Sequence, residues 1–361
     1  MAIQITNYQC PACTGPLHYD GQSGMLECEY CGSRLHVQEI EALYAEKEEA
    51  AVAAAQEQAQ QPPEADDNWH EEAGLKAYGC PSCGAQLFCD TTTAATSCPY
   101  CGNPTVVPGQ FHGLLRPDYV IPFKLDKNAA ITALKQYYKG KRLLPRAFTE
   151  QNHIEEIKGV YVPFWLFDGR VDADIHYKAT RKSSHVSGKY RVTVTDHFSV
   201  RRAGTLDFSR IPADASTKMP DAFMDSIEPF DYKDLKPFST AYLPGYLADI
   251  YDVPAKEASQ RAIRRACSTA VTQTNATTAG YTSCTPVNQS VRMPEIQPRY
   301  ALLPVWMLST RWNGKSYLFA MNGQTGKLIG DLPVSMGRWW AWFFGIAGPL
   351  AAVIGALAYF L

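Results

Sequence analysis

Eight of the 11 cysteines in this chain fall into two sets with one shared spacing, and that spacing is typical of a metal site. Each set reads C-x2-C-x14-C-x2-C, and the second begins 70 positions after the first. A C-x2-C pair turns the backbone so that two thiolates point to one place, and two such pairs supply the four ligands of a tetrahedral zinc ion. We therefore predict two zinc ions per chain, held by these cysteines: Cys10, Cys13, Cys28 and Cys31 in the first set, and Cys80, Cys83, Cys98 and Cys101 in the second.

The residues around the cysteines repeat too, which indicates a duplicated zinc ribbon at 5–37 and 76–107. The matching pairs include Tyr8 with Tyr78, Leu17 with Leu87, and Gly32 with Gly102. A unit of roughly 30 residues buries too little apolar surface to fold alone, so the metal is expected to stabilise it. Cys89 has no counterpart in the first ribbon, where Tyr19 stands, and it is interpreted as a strand residue and not as a ligand.

Disulfide bonds are the alternative use of these cysteines. They require an oxidising compartment, and the N-terminal MAIQITNYQ lacks the basic and apolar regions of a secretory signal. Zinc is therefore the expectation for both sets. Cys267 and Cys284 have no C-x2-C partner and are interpreted as lone thiols.

The segment 339–361, WWAWFFGIAGPLAAVIGALAYFL, carries no charge. As a helix it would be about 34 Å long, against a hydrocarbon layer of roughly 30 Å. Tryptophans at its start and Tyr359 near its end suit the two membrane interfaces, and Arg338 precedes it. A buried helix of a soluble core is the alternative. We predict a single-pass tail anchor in the cell membrane, with the N-terminal bulk of the chain in the cytoplasm.

The segment 38–75 between the ribbons is predicted to be a helical spacer and an acidic linker. Residues 38–61 are rich in Ala, Glu and Gln, which favour helix, and Ile40, Leu43, Tyr44 and Val52 form only a narrow apolar stripe. Between 39 and 72 there are eleven acidic residues and one lysine, and the whole chain has a net charge of −2. This charge argues against nucleic acid as a partner, since phosphate binding requires a basic surface.

The body, 118–335, is predicted to be an α+β domain built on an antiparallel sheet, with an internal duplication. Each half reads as a strand, a helix, a strand with a P-x-W motif and then alternating strands. The two motifs are Pro163-Phe-Trp165 and Pro304-Val-Trp306, and Asn313-Gly314 marks a hairpin turn.

Polar residues of the body form no convincing acid–base or nucleophile arrangement, so the chain is predicted not to be an enzyme, and no small-molecule substrate is evident. Alternation along a strand would place Asp172, Asp174 and His176 on one face. A second metal site there is conceivable, but a solvated polar face explains the pattern more simply.

Three arginines at 261, 264 and 265 share one helix, where they could meet lipid head groups or an acidic partner, although a solvated face is more common. The other candidates in this stretch are Asp168, His185, Asp196 and His197.

Four further segments carry a resemblance to a known family: GVYVPFWLFD, MDSIEPFDY, FSTAYLPGYLADIYD and NGQTGK. Together with the second ribbon and the apolar terminus, they resemble the bacterial TFIIB-type zinc-ribbon-containing membrane proteins, which are found near phage-shock protein A and SPFH-type (flotillin-like) genes. The resemblance covers most of 76–361 and leaves the first ribbon as an extension. It implies a membrane-anchored scaffold for an SPFH-type or phage-shock-type protein in envelope stress, and it supplies no catalytic residue.

Two classes of function follow from the sequence. In the first, the chain is an adaptor that recruits protein partners to the cytoplasmic face of the membrane. In the second, it is a tethered nucleic-acid-binding protein related to transcription or replication. The acidic linker and the near-neutral charge favour the adaptor.

Overall fold

The computed structural model describes residues 8–13, 15–44, 75–79, 86–90, 93–97, 104–106, 116–151 and 156–360. The second cysteine set and most of the predicted spacer lie outside these ranges. The predictions for Cys80, Cys83, Cys98, Cys101 and Val52 therefore fall outside the described residues.

The first cysteine set sits on a small three-stranded antiparallel sheet of strands β1 (Leu17–Asp20), β2 (Met25–Cys28) and β3 (Arg34–Leu35), in the order β1-β2-β3. The turn after β1 is held by the Asp20 carboxylate, which accepts hydrogen bonds from the amides of Gln22 at 3.1 Å and Ser23 at 3.0 Å. Leu17 and Leu26 point inward and are fully buried. We call residues 8–13 and 15–44 together the four-cysteine unit.

A helix, α1, covers residues 37–44 and closes the four-cysteine unit. Ile40 is fully buried, and the ring of Tyr44 packs edge-on against Tyr8 with the ring centroids 5.2 Å apart. Residues 38–44 of the predicted spacer are thus helical, and this described part of the spacer packs on the sheet instead of standing free in solvent. The apolar stripe is narrow because it covers a small sheet, and Leu43, which lies off that contact, is exposed.

Two hairpins follow in the region of the predicted second ribbon. Strands β4 (Leu75–Gly79) and β5 (Gln86–Asp90) pair with each other, and Cys89 lies in β5. Strands β6 (Thr93–Ser97) and β7 (Pro104–Val106) form the second hairpin, which extends the main sheet of the body. The sequence did not predict that strands from the 76–107 segment would extend the sheet of the body.

The body is α+β, as predicted, and its main sheet has ten strands over the described residues. Besides β6 and β7, its strands are β8 (Tyr119–Val120), β9 (Lys158–Ser187), β10 (Tyr190–Asp214), β11 (Lys236–Pro237), β12 (Leu247–Asp249), β13 (Ser283–Trp312), β14 (Lys315–Asn322) and β15 (Leu328–Gly330). Seven strands lie side by side in the order β11-β8-β13-β9-β12-β6-β7, and β10 pairs with β9, β14 with β13, and β15 with β14. The helices are α2 (Lys127–Tyr138), α3 (Arg146–Gln151), α4 (Asp221–Ile227), α5 (Ala255–Ala276) and α6 (Met336–Phe360).

The two halves of the body occupy matching places in this sheet. Strands β9 and β13 run antiparallel at its centre, with Val162 opposite Leu303. Strand β12 runs parallel to β9, and β8 runs parallel to β13 in the same way. The order β8-β13-β9-β12 therefore reads the same from either end, with each half's first strand paired to the other half's long strand.

The tryptophans of the two P-x-W motifs obey the same symmetry. The indole N–H of Trp165 donates to the carbonyl of Val253, and that of Trp306 donates to the carbonyl of Leu125, both at 2.9 Å. Each acceptor lies two residues before a helix of the opposite half, α5 or α2. A buried indole needs such an acceptor, and here the two acceptors tie the halves together reciprocally.

Helix α6 begins three residues before the predicted span and has Pro349 in its interior. Its large apolar side chains are exposed, with Phe344 at 64% and Ile346 at 61%. Over the described residues, no helix is both long and apolar enough to cross a membrane. Leu361 and the side chains of Ala352, Ala356 and 358–360 lie outside that description.

Candidate metal centre

The four thiols of the first set converge on one point. Their sulfur atoms all lie within 4.8 Å of one another. The Sγ atoms of Cys10 and Cys31 are 3.6 Å apart, and those of Cys13 and Cys28 are 3.4 Å apart. Both separations are far longer than the roughly 2.05 Å of an S–S bond, and all four cysteines are free.

Two tight backbone turns create this convergence, one for each C-x2-C pair. In the first, the Cys10 amide donates to the Gly15 carbonyl at 2.7 Å. In the second, the Gly32 amide donates to the Cys28 carbonyl at 2.9 Å, and Gly32 has a φ of +69°, which favours glycine. Cys28 ends strand β2, so the sheet fixes the position from which the second turn starts.

The electrostatics of the quartet favour a bound cation. The Ser33 hydroxyl, 3.0 Å from the Cys31 sulfur, lowers the pKa of Cys31 to about 6. The Gly15 amide acts in the same direction on Cys13, but the neighbouring sulfurs of Cys31 and Cys28 outweigh it and raise the pKa of Cys13 to about 12. Crowded thiols cannot all ionise together unless a positive charge lies among them.

The donor set and its dimensions fit a tetrahedral metal ion. Four sulfurs placed 2.3 Å from a common centre would be about 3.8 Å apart, close to the two measured separations. Cys10 and Cys28 are buried, whereas Cys13 and Cys31 are exposed, so the site lies at the surface of the four-cysteine unit. Among the described residues, the structure thus contains one cluster of four cysteines that could hold a metal ion.

The four-cysteine unit packs directly on the body. The Tyr19 amide donates to the Pro244 carbonyl at 3.0 Å, and the hydroxyls of Tyr8 and Thr240 are 2.5 Å apart. The ring of Tyr19 also packs edge-on against Tyr242 at 5.2 Å. These contacts join residues more than two hundred positions apart, and no local pattern in the sequence predicted them.

The surface of the four-cysteine unit is acidic. It carries five carboxylates and one arginine, and that arginine, Arg34, pairs with Glu27 at 3.3 Å. Beside the contacts between the unit and the body, a cavity of about 920 Å³ is lined by residues of both, and Glu27, Glu29 and His18 lie on the unit's side of it. His18 and Glu29 lie 3.5 Å apart along that wall.

The other polar candidates of the body lie on an exposed strand face. Asp172, Asp174 and His176 share one face of β9, as the alternation predicted. Asp174 forms two hydrogen bonds with Arg201, at 2.7 and 2.9 Å, and this guanidinium holds the pKa of Asp174 below its usual range. Within the described chain, only the cysteine quartet groups three or more potential metal ligands.

The remaining candidates of this stretch do not converge either. Asp168 accepts a hydrogen bond from the Arg210 amide at 2.8 Å, which holds the bulge in β10. His185, Asp196 and His197 are exposed residues of the β9–β10 hairpin.

The arginines of α5 form an internal ion-pair network. Arg261 contacts Asp214 at 2.6 Å, Asp221 at 2.9 Å and Asp225 at 2.8 Å. Arg265 donates to the Glu228 carboxylate from both terminal guanidinium nitrogens, Nη1 and Nη2. Neither arginine is therefore a free site for lipid head groups or an acidic partner. The solvated-face interpretation was also wrong for these two, because their acidic partners come from segments remote in sequence.

Two of the segments that carried the family resemblance meet in space. The buried side chain of Asn322 donates to the Ile227 carbonyl at 3.0 Å and accepts from the amides of Gln324 and Thr325, both at 2.9 Å. Gln324 in turn bonds both the amide and the carbonyl of Asp231. The segments NGQTGK and MDSIEPFDY are therefore hydrogen-bonded to each other in the folded body.

The comparisons with known proteins show a relative over nearly the whole chain. It is 36% identical over 344 residues, 95% of each chain, to a Bacillus subtilis (strain 168) protein described as "Uncharacterized protein YdjG". No family model matches the chain. No solved structure matches it. At that identity and coverage, the chain belongs to the family of Bacillus subtilis YdjG.

Proposed function

We propose that this chain is a membrane-anchored scaffold that recruits a protein partner to the cytoplasmic face of the membrane. In this proposal both cysteine sets bind zinc as zinc ribbons, α6 enters the membrane as an anchor, and the body connects the ribbons to that anchor. The resemblance to TFIIB-type zinc-ribbon membrane proteins suggests an SPFH-type or phage-shock-type partner and a role in envelope stress.

The observation that carries the proposal is the exposed apolar surface of α6. Trp340 is 47% exposed, and Leu350 and Ile354 are each 58% exposed. Fully burying one such side chain stabilises a protein by about 1.5–3 kcal/mol, and patches of this kind mark interaction or membrane sites. A bilayer would cover every face of the helix, which a single protein partner would not.

The charge of the four-cysteine unit supports a protein partner over nucleic acid. Five carboxylates against one arginine would repel phosphates and attract a basic protein surface. The unit is also tied to the body by Tyr8 and Tyr19, so it would present that surface in a fixed orientation. A scaffold needs such rigidity, because tethering raises the effective concentration of partners that can dock together.

Membrane attachment is tested by flotation of the full-length chain with phosphatidylcholine vesicles after detergent removal. We expect the native chain to float with the vesicles. Leu350→Arg combined with Ile354→Arg should leave it at the bottom of the gradient. The matched control is Val186→Arg with Val287→Arg, which adds two charges at exposed sites on other elements and should float normally. A native chain that stays with the soluble fraction would refute the anchor.

Recruitment is tested first by cross-linking in native membranes, with the cross-linked protein identified by mass spectrometry. That protein is then purified and titrated onto vesicles that carry the chain. Cys10→Ser with Cys13→Ser should abolish binding of that protein and leave flotation intact. Asp172→Asn with Asp174→Asn and His176→Gln should have no effect, because their face is not the proposed docking surface. The reverse pattern would overturn the scaffold and direct attention to the face of β9.

Metal analysis of the reduced chain tests the zinc content separately. Native protein should contain two zinc ions, and the Cys10→Ser/Cys13→Ser variant should contain one. Cys89→Ser should contain two, since Cys89 is not a proposed ligand. A single zinc ion in native protein would remove the second ribbon from the proposal.

A further inference from the structure

The segment 135–146 contains five basic residues and no acidic one. It runs from the last turn of α2 to the start of α3, and all five basic side chains are exposed. No carboxylate among the described residues forms an ion pair with Lys141 or Arg142. Their cationic groups lie instead over aromatic rings, Lys141 over Tyr137 and Arg142 over Trp342, each 4.8 Å from the ring centroid.

This basic segment packs against the start of α6. The Ser335 amide donates to the Leu143 carbonyl at 2.9 Å, and the Arg338 guanidinium donates to the Leu144 carbonyl. The basic side chains therefore lie beside the first turns of α6, where the tryptophans at 339, 340 and 342 stand. Tryptophan and cationic side chains at one level are typical of the boundary between lipid head groups and hydrocarbon.

A groove of about 540 Å³ leads from the basic segment along α6. Among the described residues of its wall, Arg142 alone is charged. The rest of the wall is apolar and consists of Leu143, Trp339, Trp342, Phe343, Ile346, Ala347 and Leu350. Its volume falls in the usual range for small-molecule sites, about 300–1,000 Å³. One end thus offers a cation, and the remainder offers mainly apolar contact from aliphatic and aromatic side chains.

We propose that this groove binds one anionic phospholipid, with the headgroup phosphate against Arg142 and Lys141 and an acyl chain along Phe343, Ile346 and Leu350. The charge matches an anionic lipid, and the wall beyond Arg142, which is made of aliphatic and tryptophan or phenylalanine side chains, suits an acyl chain better than a peptide, whose backbone would need several hydrogen-bond partners. The proposal rests on the proposed membrane attachment of α6 and adds a lipid preference to it.

The experiment reconstitutes the full-length chain in vesicles of equimolar phosphatidylcholine and phosphatidylglycerol. The chain is then re-extracted in mild detergent, and the lipids retained on each chain are identified by native mass spectrometry. We expect one phosphatidylglycerol per native chain. With about a fivefold contribution from each cation near a membrane surface, Lys141→Gln with Arg142→Gln should reduce this retention about 25-fold. The matched control is Lys182→Gln with Arg191→Gln, two exposed cations on the β9–β10 hairpin, and it should retain the lipid.

A second variant distinguishes lipid binding in the groove from a general electrostatic attraction between the basic segment and anionic lipids. Ala347→Phe fills the apolar wall without altering the charge, and it should also release the lipid. Retention of phosphatidylglycerol by both variants, or equal retention of phosphatidylcholine by native protein, would overturn the lipid site while leaving membrane attachment in place. Failure of the native chain to float with phosphatidylcholine vesicles alone would instead refute the attachment and the lipid site together.

Discussion

The substitution Gly21→Ala should loosen the four-cysteine unit from the body. Gly21 lies in the turn after β1, directly against the main chain of the body. A Cβ built there would lie 1.8 Å from the carbonyl oxygen of Phe123. Phe123 cannot move aside easily, because it is fully buried and its ring stacks on Tyr246 with the centroids 4.1 Å apart. The four-cysteine unit must therefore shift.

The size of the effect follows from the contacts that this shift would break. They are the hydrogen bond from Tyr19 to Pro244, the hydroxyl contact between Tyr8 and Thr240, and the bond from Gln22 to Asp126 at 3.2 Å. At about 0.5–1.5 kcal/mol each, their loss should lower the free energy of local opening by about 3 kcal/mol. Protection of the Tyr19 amide against hydrogen exchange should then fall on the order of 100-fold.

Hydrogen exchange measured by mass spectrometry on peptides that cover 17–28 and 240–247 would check this prediction. Gly204→Ala is the matched control, since a Cβ at Gly204 meets no atom within 4 Å. Metal content should stay unchanged in both variants, because the quartet lies away from the contact. Unchanged protection in Gly21→Ala, or an equal fall in Gly204→Ala, would refute the packing of the unit on the body.

Three further predictions concern the body. Trp165→Phe and Trp306→Phe should each lower the free energy of unfolding by about 0.5–1.5 kcal/mol in urea titration, because each removes the hydrogen bond to a part-buried carbonyl, and similar losses would support the equivalence of the two halves. Asn322→Ala should cost about 2–4 kcal/mol in the same assay, since it removes a fully buried amide that bonds four backbone groups. Burial raises the pKa of Asp214 from 3.8 to about 6 despite its ion pair with Arg261, so the native state binds the extra proton and its stability should decline as the pH rises from about 4 to 6. Asp214→Asn should flatten that part of the stability profile.

The sequence predicted the features that depend on neighbouring residues. A C-x2-C pair defines its own turn, so the convergence of Cys10, Cys13, Cys28 and Cys31 follows from spacing alone. The alternation of β9 likewise placed Asp172 and Asp174 on one face, because successive strand residues point to opposite sides.

The features that the sequence missed depend on contacts across long stretches of chain. Arg261 was assigned to a solvated face because its partners Asp214 and Asp225 are about 40 positions away. The burial of Asn322 likewise depends on carbonyls more than 90 positions away, those of Ile227 and Pro229. Nothing in the residues around Tyr8 or Thr240 indicates that they meet.

The reciprocal pairing of the two halves of the body has a consequence for the ancestry of the fold. In a C2 homodimer, a residue i of one subunit contacts j of the other, and j contacts i. The body repeats this relation within one chain, since β8 pairs with β13, β12 pairs with β9, and each tryptophan bonds the opposite half. A single half would leave its first strand without the long strand beside it and its indole without the carbonyl that accepts from it. This is the arrangement that would result if the gene of a shorter, C2-dimeric polypeptide were duplicated and its two copies were joined in one chain.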